Sequence, residues 1–506
     1  MLPLEMQKIL SNTGFNILGI VASSLMALVV TPLLLSYLGG ALFGVWALFG
    51  IVITASQMLD FGLNRALVRN IAHYRALGQR SSINQDFNSA LWPLAAVLLV
   101  ITIVGWGLAP EMATWLGVPP GLRGTAIPAL RLLMLSLLPV GLGLLLGATL
   151  EGAQRMAYTS GAMTLNRLLF TIGVVMVVSW DWGLVGVSRV YLVAVWVQLL
   201  VLALAAMRVT PTLRLAPRLV QRMLFQQDLR FGLTVFATAL VALVFTATNK
   251  IILARWVGLD GVATYEVASI IAIQLFTLAM AMSRALYPAL VVAQTQHGLE
   301  ALRCLFSRAL HVLVLFTVPA GAMIIALAIP FVSAWLGATT LQPARGLQWL
   351  VGAWSIAALA TAASVGLLAI GRPGWATAFS TYNAVLNLLL VLLCTPFWGF
   401  WGVIAANVIA VSSSAVLTLW LFARLIQMDR RSLMLALSPR IWVWAIVLAV
   451  GLAWFGTRLM PRNLIEIGIW AGAYLLVYGL GLLGLKLLWP EERAWLRQFF
   501  RPPADR

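Results

Sequence analysis

Residues 87–91 read F-N-S-A-L and residues 306–310 read F-S-R-A-L. The interval of 219 residues between them holds for the chain on their amino-terminal side. Without a gap it sets Gly39 on Gly258, Trp46 on Tyr265, and Arg65-Ala66-Leu67 on Arg284-Ala285-Leu286. One inserted residue later, P-E-M-A-T-W-L-G from Pro110 meets P-F-V-S-A-W-L-G from Pro330. At slightly smaller offsets Asn166 meets Asn383, and W-G-L-V-G-V from Trp182 meets W-G-F-W-G-V from Trp398. Matches kept in order over about 180 residues are the signature of an internal duplication.

The duplicated unit belongs in a bilayer. Of the 506 residues, 62% are hydrophobic and 9% charged, whereas soluble chains carry about 25% charge. A membrane helix needs about 20 apolar residues, and hydropathy places fourteen such spans, from 12–38 and 42–64 through to 440–458 and 464–488. The expected fold is therefore an all-α polytopic membrane protein of two pseudo-symmetric six-helix bundles plus a carboxy-terminal pair. The amino-terminal lobe covers 1–208, a cytoplasmic linker 209–230, and the second lobe 231–427. Helices 13 and 14 fill 428–488, and a cytoplasmic tail 489–506. Six is even, so both lobes keep one orientation, and their symmetry axis runs along the membrane normal, an arrangement found in secondary transporters.

The formal charge of +18 would suggest nucleic acid in a soluble protein. Here the basic residues collect in alternate loops, among them Arg65, Arg69, Arg75, Arg208, Arg214, Arg218, Arg303, Arg308, Arg430 and Arg431. By the positive-inside rule both termini are cytoplasmic, and the excess is topological. Glu5 and Lys8, with no small-residue cleavage pattern after them, argue that the first helix is retained.

Several chemistries lack their parts. The three lysines, Lys8, Lys250 and Lys486, do not follow glycine, so no Walker A loop exists. The longest outer loop, near Pro110 to Ala126, has a single acid, Glu111, which argues against paired-carboxylate catalysis. His73, His297 and His311 have no grouped partners for a metal, and Cys304 and Cys394 fall near opposite faces, so no disulfide is expected. The sequence calls for no catalytic residue, cofactor or metal.

G-F-N-I-L-G at Gly14–Gly19, the L-L-S-Y-L-G-G-x-L-F-G-V-W run of Leu34–Trp46, L-D-F-G-L-N-R-A-L of Leu59–Leu67, G-A-Q-R at Gly152–Arg155, and V-A-T-Y-E-V-A of Val262–Ala268 resemble bacterial polysaccharide transport proteins. These are oligosaccharide (O-antigen type) flippases of the multidrug/oligosaccharidyl-lipid/polysaccharide (MOP) superfamily. The resemblance spans the whole chain and implies transfer of an undecaprenyl-pyrophosphate-linked oligosaccharide from the inner to the outer leaflet. That step serves O-antigen, capsule or exopolysaccharide assembly in the bacterial inner membrane. Membrane lipids are implied partners, as are glycan polymerase and other assembly enzymes. Fourteen helices also resemble lipid II flippases, in which the extra pair is associated with a groove for the lipid tail. A multidrug and toxic compound extrusion (MATE)-like cation antiporter and a membrane scaffold for glycan-assembly enzymes are the competing readings.

Such cargo needs fixed cations and hydrogen-bonding groups inside the membrane, and ionisable groups within spans are functional candidates. Arg167 falls about 12 Å into a helix starting near Thr159, at 1.5 Å per residue, and is the first candidate for a phosphate contact, with snorkelling or pairing with a neighbouring helix as the structural alternative. Asn166 and its mate Asn383 are candidates for lining the cavity or knitting helices together. Lys250 and Glu266 stand eight residues before and after Gly258, hence at one depth on neighbouring helices. They suit a structural or gating ion pair, with sugar–phosphate binding, for which Asn249 is also a candidate, or proton coupling as the sharper readings. Their first-repeat equivalents, Thr31 and Ala47, carry no charge. Asp60 is read as a coupling carboxylate or a cap, and Arg65 with Arg284 as an entry ring for pyrophosphate or as interfacial anchors. Pro32, Pro139 and Pro319 lie within spans and permit bending.

Overall fold

The structure, a computed structural model, describes residues 2–337, 341–459, 463–485, 487 and 489. Apart from Trp489, the tail expected over 489–506 lies outside the described residues. The described chain is helical with no strand: α1 (Leu2–Ser56), α2 (Leu63–Ala76), α3 (Arg80–Gly107), α4 (Ala109–Trp115), α5 (Pro120–Gly152), α6 (Met156–Trp180) and α7 (Gly183–Val209) are followed by α8 (Arg222–Trp256), α9 (Leu259–Leu336), α10 (Gln342–Ala369), α11 (Pro373–Trp398), α12 (Phe400–Leu425), α13 (Arg430–Leu437), α14 (Pro439–Leu459) and α15 (Leu464–Gly484). Among the described residues 13 helical stretches are long and apolar enough to cross a membrane. The first of these contains Gly39, whose φ of 74° and ψ of 169° divide α1 into two helices placed end to end. The 78-residue α9 is divided in the same way at Gly298.

The duplication recurs in the backbone. Gly39 and Gly258 have φ of 74° and 102°, Gly117 and Gly337 of 83° and 61°, and Gly183 and Gly399 of 60° and 52°. Each pair is equivalent in the repeat and turns the chain between helices through the left-handed region, which glycine enters without a Cβ penalty. The two copies part company at one place. The span expected over 42–64 stops at Ser56, and the chain passes through Phe61 (φ 49°) and Gly62 (φ 79°) before α2 restarts. The equivalents of these residues, Met280 and Ala281, lie in unbroken helix within α9. Glycine at one position and alanine at the other explains the difference.

The chain forms two compact units, Met1–Glu266 with Ser380–Ala406, and Val267–Phe379 with Asn407–Arg506. In the first, fully buried Phe87 anchors a core with Leu67, Leu94, Leu98, Leu145 and Ala148. In the second its repeat mate Phe306 does the same with Leu310, Leu359 and Leu367, its ring centroid 4.7 Å from that of Phe422. The F-x-x-A-L motif thus recurs because it seeds a core in each copy. Within the second unit, α15 is tied to that core by Tyr478, whose hydroxyl donates to the Leu315 carbonyl at 3.1 Å. Both cysteines are free.

The segment expected as a linker over 209–230 is non-α only as far as Gln221, and it is docked rather than loose. The Asn84 and Asn88 amides donate to the Thr212 and Arg214 carbonyls, each at 2.7 Å, and their oxygens accept from the Arg214 and Ala216 amides at 2.7 and 2.8 Å. Ser89 accepts from the Gln221 amide at 2.8 Å. One face of α3 therefore serves as a template for the extended chain. Replacing buried Asn88 by alanine leaves a donor and an acceptor of the segment unmatched, a loss of about 2 kcal/mol. Trypsin is expected to cut after Arg214 or Arg218 faster in that variant than in the wild type. An unchanged cutting rate would show that the segment does not depend on Asn88.

Candidate functional site

Polar side chains inside the first unit gather at three places. The first surrounds Lys250, which is 6% exposed. Its ammonium lies 2.6 Å from Glu266 Oε2 and donates to the Ala47 carbonyl at 3.1 Å. A Cβ at Gly50 would stand 3.5 Å from Nζ, so a small residue there leaves the ammonium its room. Ala47 is the repeat mate of Glu266. Lys250 therefore bridges the acid of its own copy and the backbone of the other copy, where no acid exists. Beside it, the Asn387 amide donates to Asn249 Oδ1 and the Asn249 amide to the Tyr265 hydroxyl, both at 2.9 Å, in a chain sealed from solvent. Gly40 and Gly44 of α1 come so close to Asp260 and Leu259 that a Cβ at either would collide. This end of α1 is packed tightly on the start of α9.

The second place is the break between α1 and α2. Here Asp60 accepts from the Gly62 and Asn64 amides, each at 3.2 Å, and so satisfies amides exposed where α2 begins. Next to the break a cavity of about 80 Å³ is lined by Gln57, Asn64, Glu151, Thr159 and Gln198, with Gly143 and Gly147 providing space. This volume holds a few water molecules. Asn64 Oδ1 has no donor among the described residues.

The third place is the surface of α6. That helix begins at Met156, three residues before the expected start, which sets Arg167 about 16 Å along it. Arg167 is exposed, and no acid pairs with it among the described residues. Adjacent Asn166 is half-buried, its Nδ2 lacking an acceptor, and its repeat mate Asn383 has an Oδ1 lacking a donor. Arg65 on α2 is exposed in the first unit, as is Arg284 on α9 in the second.

Of the residues singled out from the sequence, the structure brings Lys250, Glu266 and Asn249 together. It holds Asp60 by backbone amides and leaves Arg167, Arg65 and Arg284 open. Missed were Asn387, one helical turn beyond Asn383, and the cavity residues Gln57, Asn64, Glu151 and Gln198. Uncharged amides within spans were the available signal, and Glu151 adjoins the G-A-Q-R motif.

A sequence model of a family described as polysaccharide biosynthesis protein matches residues 9–294. The chain belongs to that family. A search of curated protein sequences finds no match. Among solved structures the chain is similar to the lipid II flippase MurJ in an inward closed conformation, with a TM-score of 0.71 at 15% identity, covering 93% of this chain and 99% of that one. It is also similar to an inward-facing multidrug resistance MATE family transporter of the MOP superfamily, with a TM-score of 0.69 at 16% identity, covering 79% of this chain and 94% of that one. The fold is that of MOP-superfamily transporters, and a match over 93% of the chain necessarily enters the carboxy-terminal helix pair.

Proposed function

We propose that this member of the polysaccharide biosynthesis family flips an undecaprenyl-pyrophosphate-linked oligosaccharide, an O-antigen, capsule or exopolysaccharide repeat unit, from the inner to the outer leaflet. It does so by alternating access of its 1–208 and 231–427 lobes in the bacterial inner membrane, with both termini cytoplasmic. Arg167 carries the reading: an exposed guanidinium deep along an apolar helix, with no acid beside it, is costly unless an anion visits it. A pyrophosphate supplies that anion and suits the bidentate fork of arginine. Asn166 Nδ2 and Asn383 Oδ1 are buried without a partner among the described residues, and a lobe movement that uncovers them makes them available to sugar hydroxyls. Arg65 and Arg284 attract the headgroup on entry, while Asn249, Lys250 and Glu266 form a gate whose polar atoms are already paired.

An apolar groove supports assigning the tail of the carrier to the carboxy-terminal helix pair. Between α14 and α15 runs an apolar groove of about 460 Å³, lined by Val447, Leu448, Gly451, Phe455, Trp470 and Val477. Its walls suit a polyprenyl chain that remains in lipid while the glycan crosses.

The test is a lipid extraction from native cells with and without the protein, and with Arg167→Gln and Arg167→Lys in its place. Carrier-linked oligosaccharide should accumulate and surface polysaccharide disappear without the protein. Arg167→Gln is expected to reproduce this phenotype at normal protein abundance, with partial rescue by lysine. Unchanged lipids and unchanged surface glycan in the deleted strain would sink the reading and point to export of a cationic small molecule.

A further inference from the structure

Where the Arg-rich end of α8 meets α2 and α3, two carboxyl groups are buried face to face. Asp86 of α3 is 0% exposed and Asp228 of α8 is 2% exposed, and their side chains lie within hydrogen-bonding reach of each other. The Asn70 amide of α2 sits beside both and donates to Asp228 Oδ1 at 2.9 Å, while its own oxygen accepts from the Arg69 guanidinium at 3.1 and 3.2 Å. The second oxygen of Asp228 and both oxygens of Asp86 receive no donor among the described residues. The charged and titratable groups facing the pair are Arg69 and Tyr74 of α2. Leu213 of the linker and Phe225 and Leu229 of α8 pack on the neighbouring Phe87 core.

Two carboxylates in contact inside a protein do not both ionise, because their repulsion adds to the cost of removing each from water. One Arg69 guanidinium, exposed and acting through Asn70, offsets one negative charge. The missing element is a donor between three unserved oxygens, and a single proton provides it. An alkali cation would need a larger ring of oxygens than these three.

We propose that Asp86 and Asp228 share one proton, and that binding this proton fastens the Arg-rich end of α8 to α2 and α3. In the fastened state one carboxyl O–H donates to the other carboxylate, and the pair carries a net charge of −1. On release the proton passes to water, two carboxylates remain, and their repulsion and hydration drive α8 away. The contacts around the pair move with it, namely the Arg69 guanidinium 4.5 Å above the Phe231 ring and the close approach of Gly62 and Gly232. Given the transport reading above, this makes a proton the ion whose uptake and loss accompany the movement of α8. Chemically the site selects only for a proton, and its position at the end of a membrane helix gives it access to one aqueous side.

Two measurements on the full-length protein in lipid nanodiscs, without substrate, decide the matter. Infrared difference spectra between low and high pH should show the carbonyl stretch of one protonated carboxyl group, absent from both Asp86→Asn and Asp228→Asn. In a Cys304→Ser/Cys394→Ser background, the labelling rate of a Leu229→Cys variant, divided at each pH by that of a Met223→Cys control at an exposed site so that the thiol's own ionisation cancels, should rise with pH by about tenfold per unit, the slope for loss of one proton. Adding Asp86→Asn should abolish that slope, because the asparagine amide donates permanently to Asp228 and keeps the helices fastened at every pH. A carboxyl band that survives both substitutions, or a labelling ratio that is flat with pH in the wild-type pair, overturns the proposal. A band that disappears on adding sodium at constant pH overturns it in favour of a cation site. Neither readout needs cargo, so failure of the lipid assay leaves them standing, and their failure leaves the flippase reading intact.

Discussion

Lys250→Met is expected to destabilise the protein by about 3 kcal/mol, the low end for breaking a buried ion pair by removing one partner. The loss has two sources. Glu266 loses the ammonium 2.6 Å from it in a site where its side chain is 24% exposed, and the Ala47 carbonyl loses its 3.1 Å donor. Adding Glu266→Met to the same chain should recover most of the loss, since replacing a buried pair by apolar groups of similar size is often neutral. Thermal unfolding of the two single variants and the double variant in detergent closes a mutant cycle. Additive losses would show that the two charges do not depend on each other. If the pair is also the gate inferred for transport, the double variant folds normally and still fails to export glycan.

A comparable loss is expected from Gly62→Ala. Two penalties combine there: alanine in the left-handed region costs about 1–2 kcal/mol, and its Cβ would overlap the Gly232 backbone of α8. Cores resist such overpacking at about 1–3 kcal/mol. Gly232→Ala separates the terms, because its Cβ would meet the Phe61 carbonyl and Gly62 backbone without a left-handed φ at position 232. Both variants should unfold at lower temperature than the wild type, Gly62→Ala by the wider margin. Wild-type unfolding by both would mean that α8 is not required to lie so close to the D-F-G-L turn.

Repeat arithmetic accounts for how much of this was legible beforehand. F-x-x-A-L was legible as a mark of the repeat, while the structure shows that Phe87 and Phe306 anchor the two cores. Gly39 and Gly258 located the same turn twice, because a left-handed turn tolerates little else. Lys250 and Glu266 were placed together by equal spacing from Gly258, a purely helical consequence of 1.5 Å per residue. Repeat equivalence fails where the copies differ in use: Asp60, Phe61 and Gly62 break the first copy, whereas Ala279, Met280 and Ala281 continue the second. It also chose Asn383, although Asn387 is the residue bonded to Asn249.

The sequence by itself determined that the chain is a duplicated membrane bundle, because the apolar length of a span and the spacing of a repeat are properties of the chain alone. It also singled out the ionisable groups that fall within spans, where burial of a charge is costly. Only the tertiary structure decided which of them meet. Asp86 and Asp228 lie on helices far apart in the chain, and Gln57, Asn64, Glu151, Thr159 and Gln198 come from five separate stretches of it. No periodicity links such residues, since their proximity is set by how helix faces pack against one another, and that packing is what gathers isolated polar groups into a cavity, an ion pair or a buried pair of carboxyl groups.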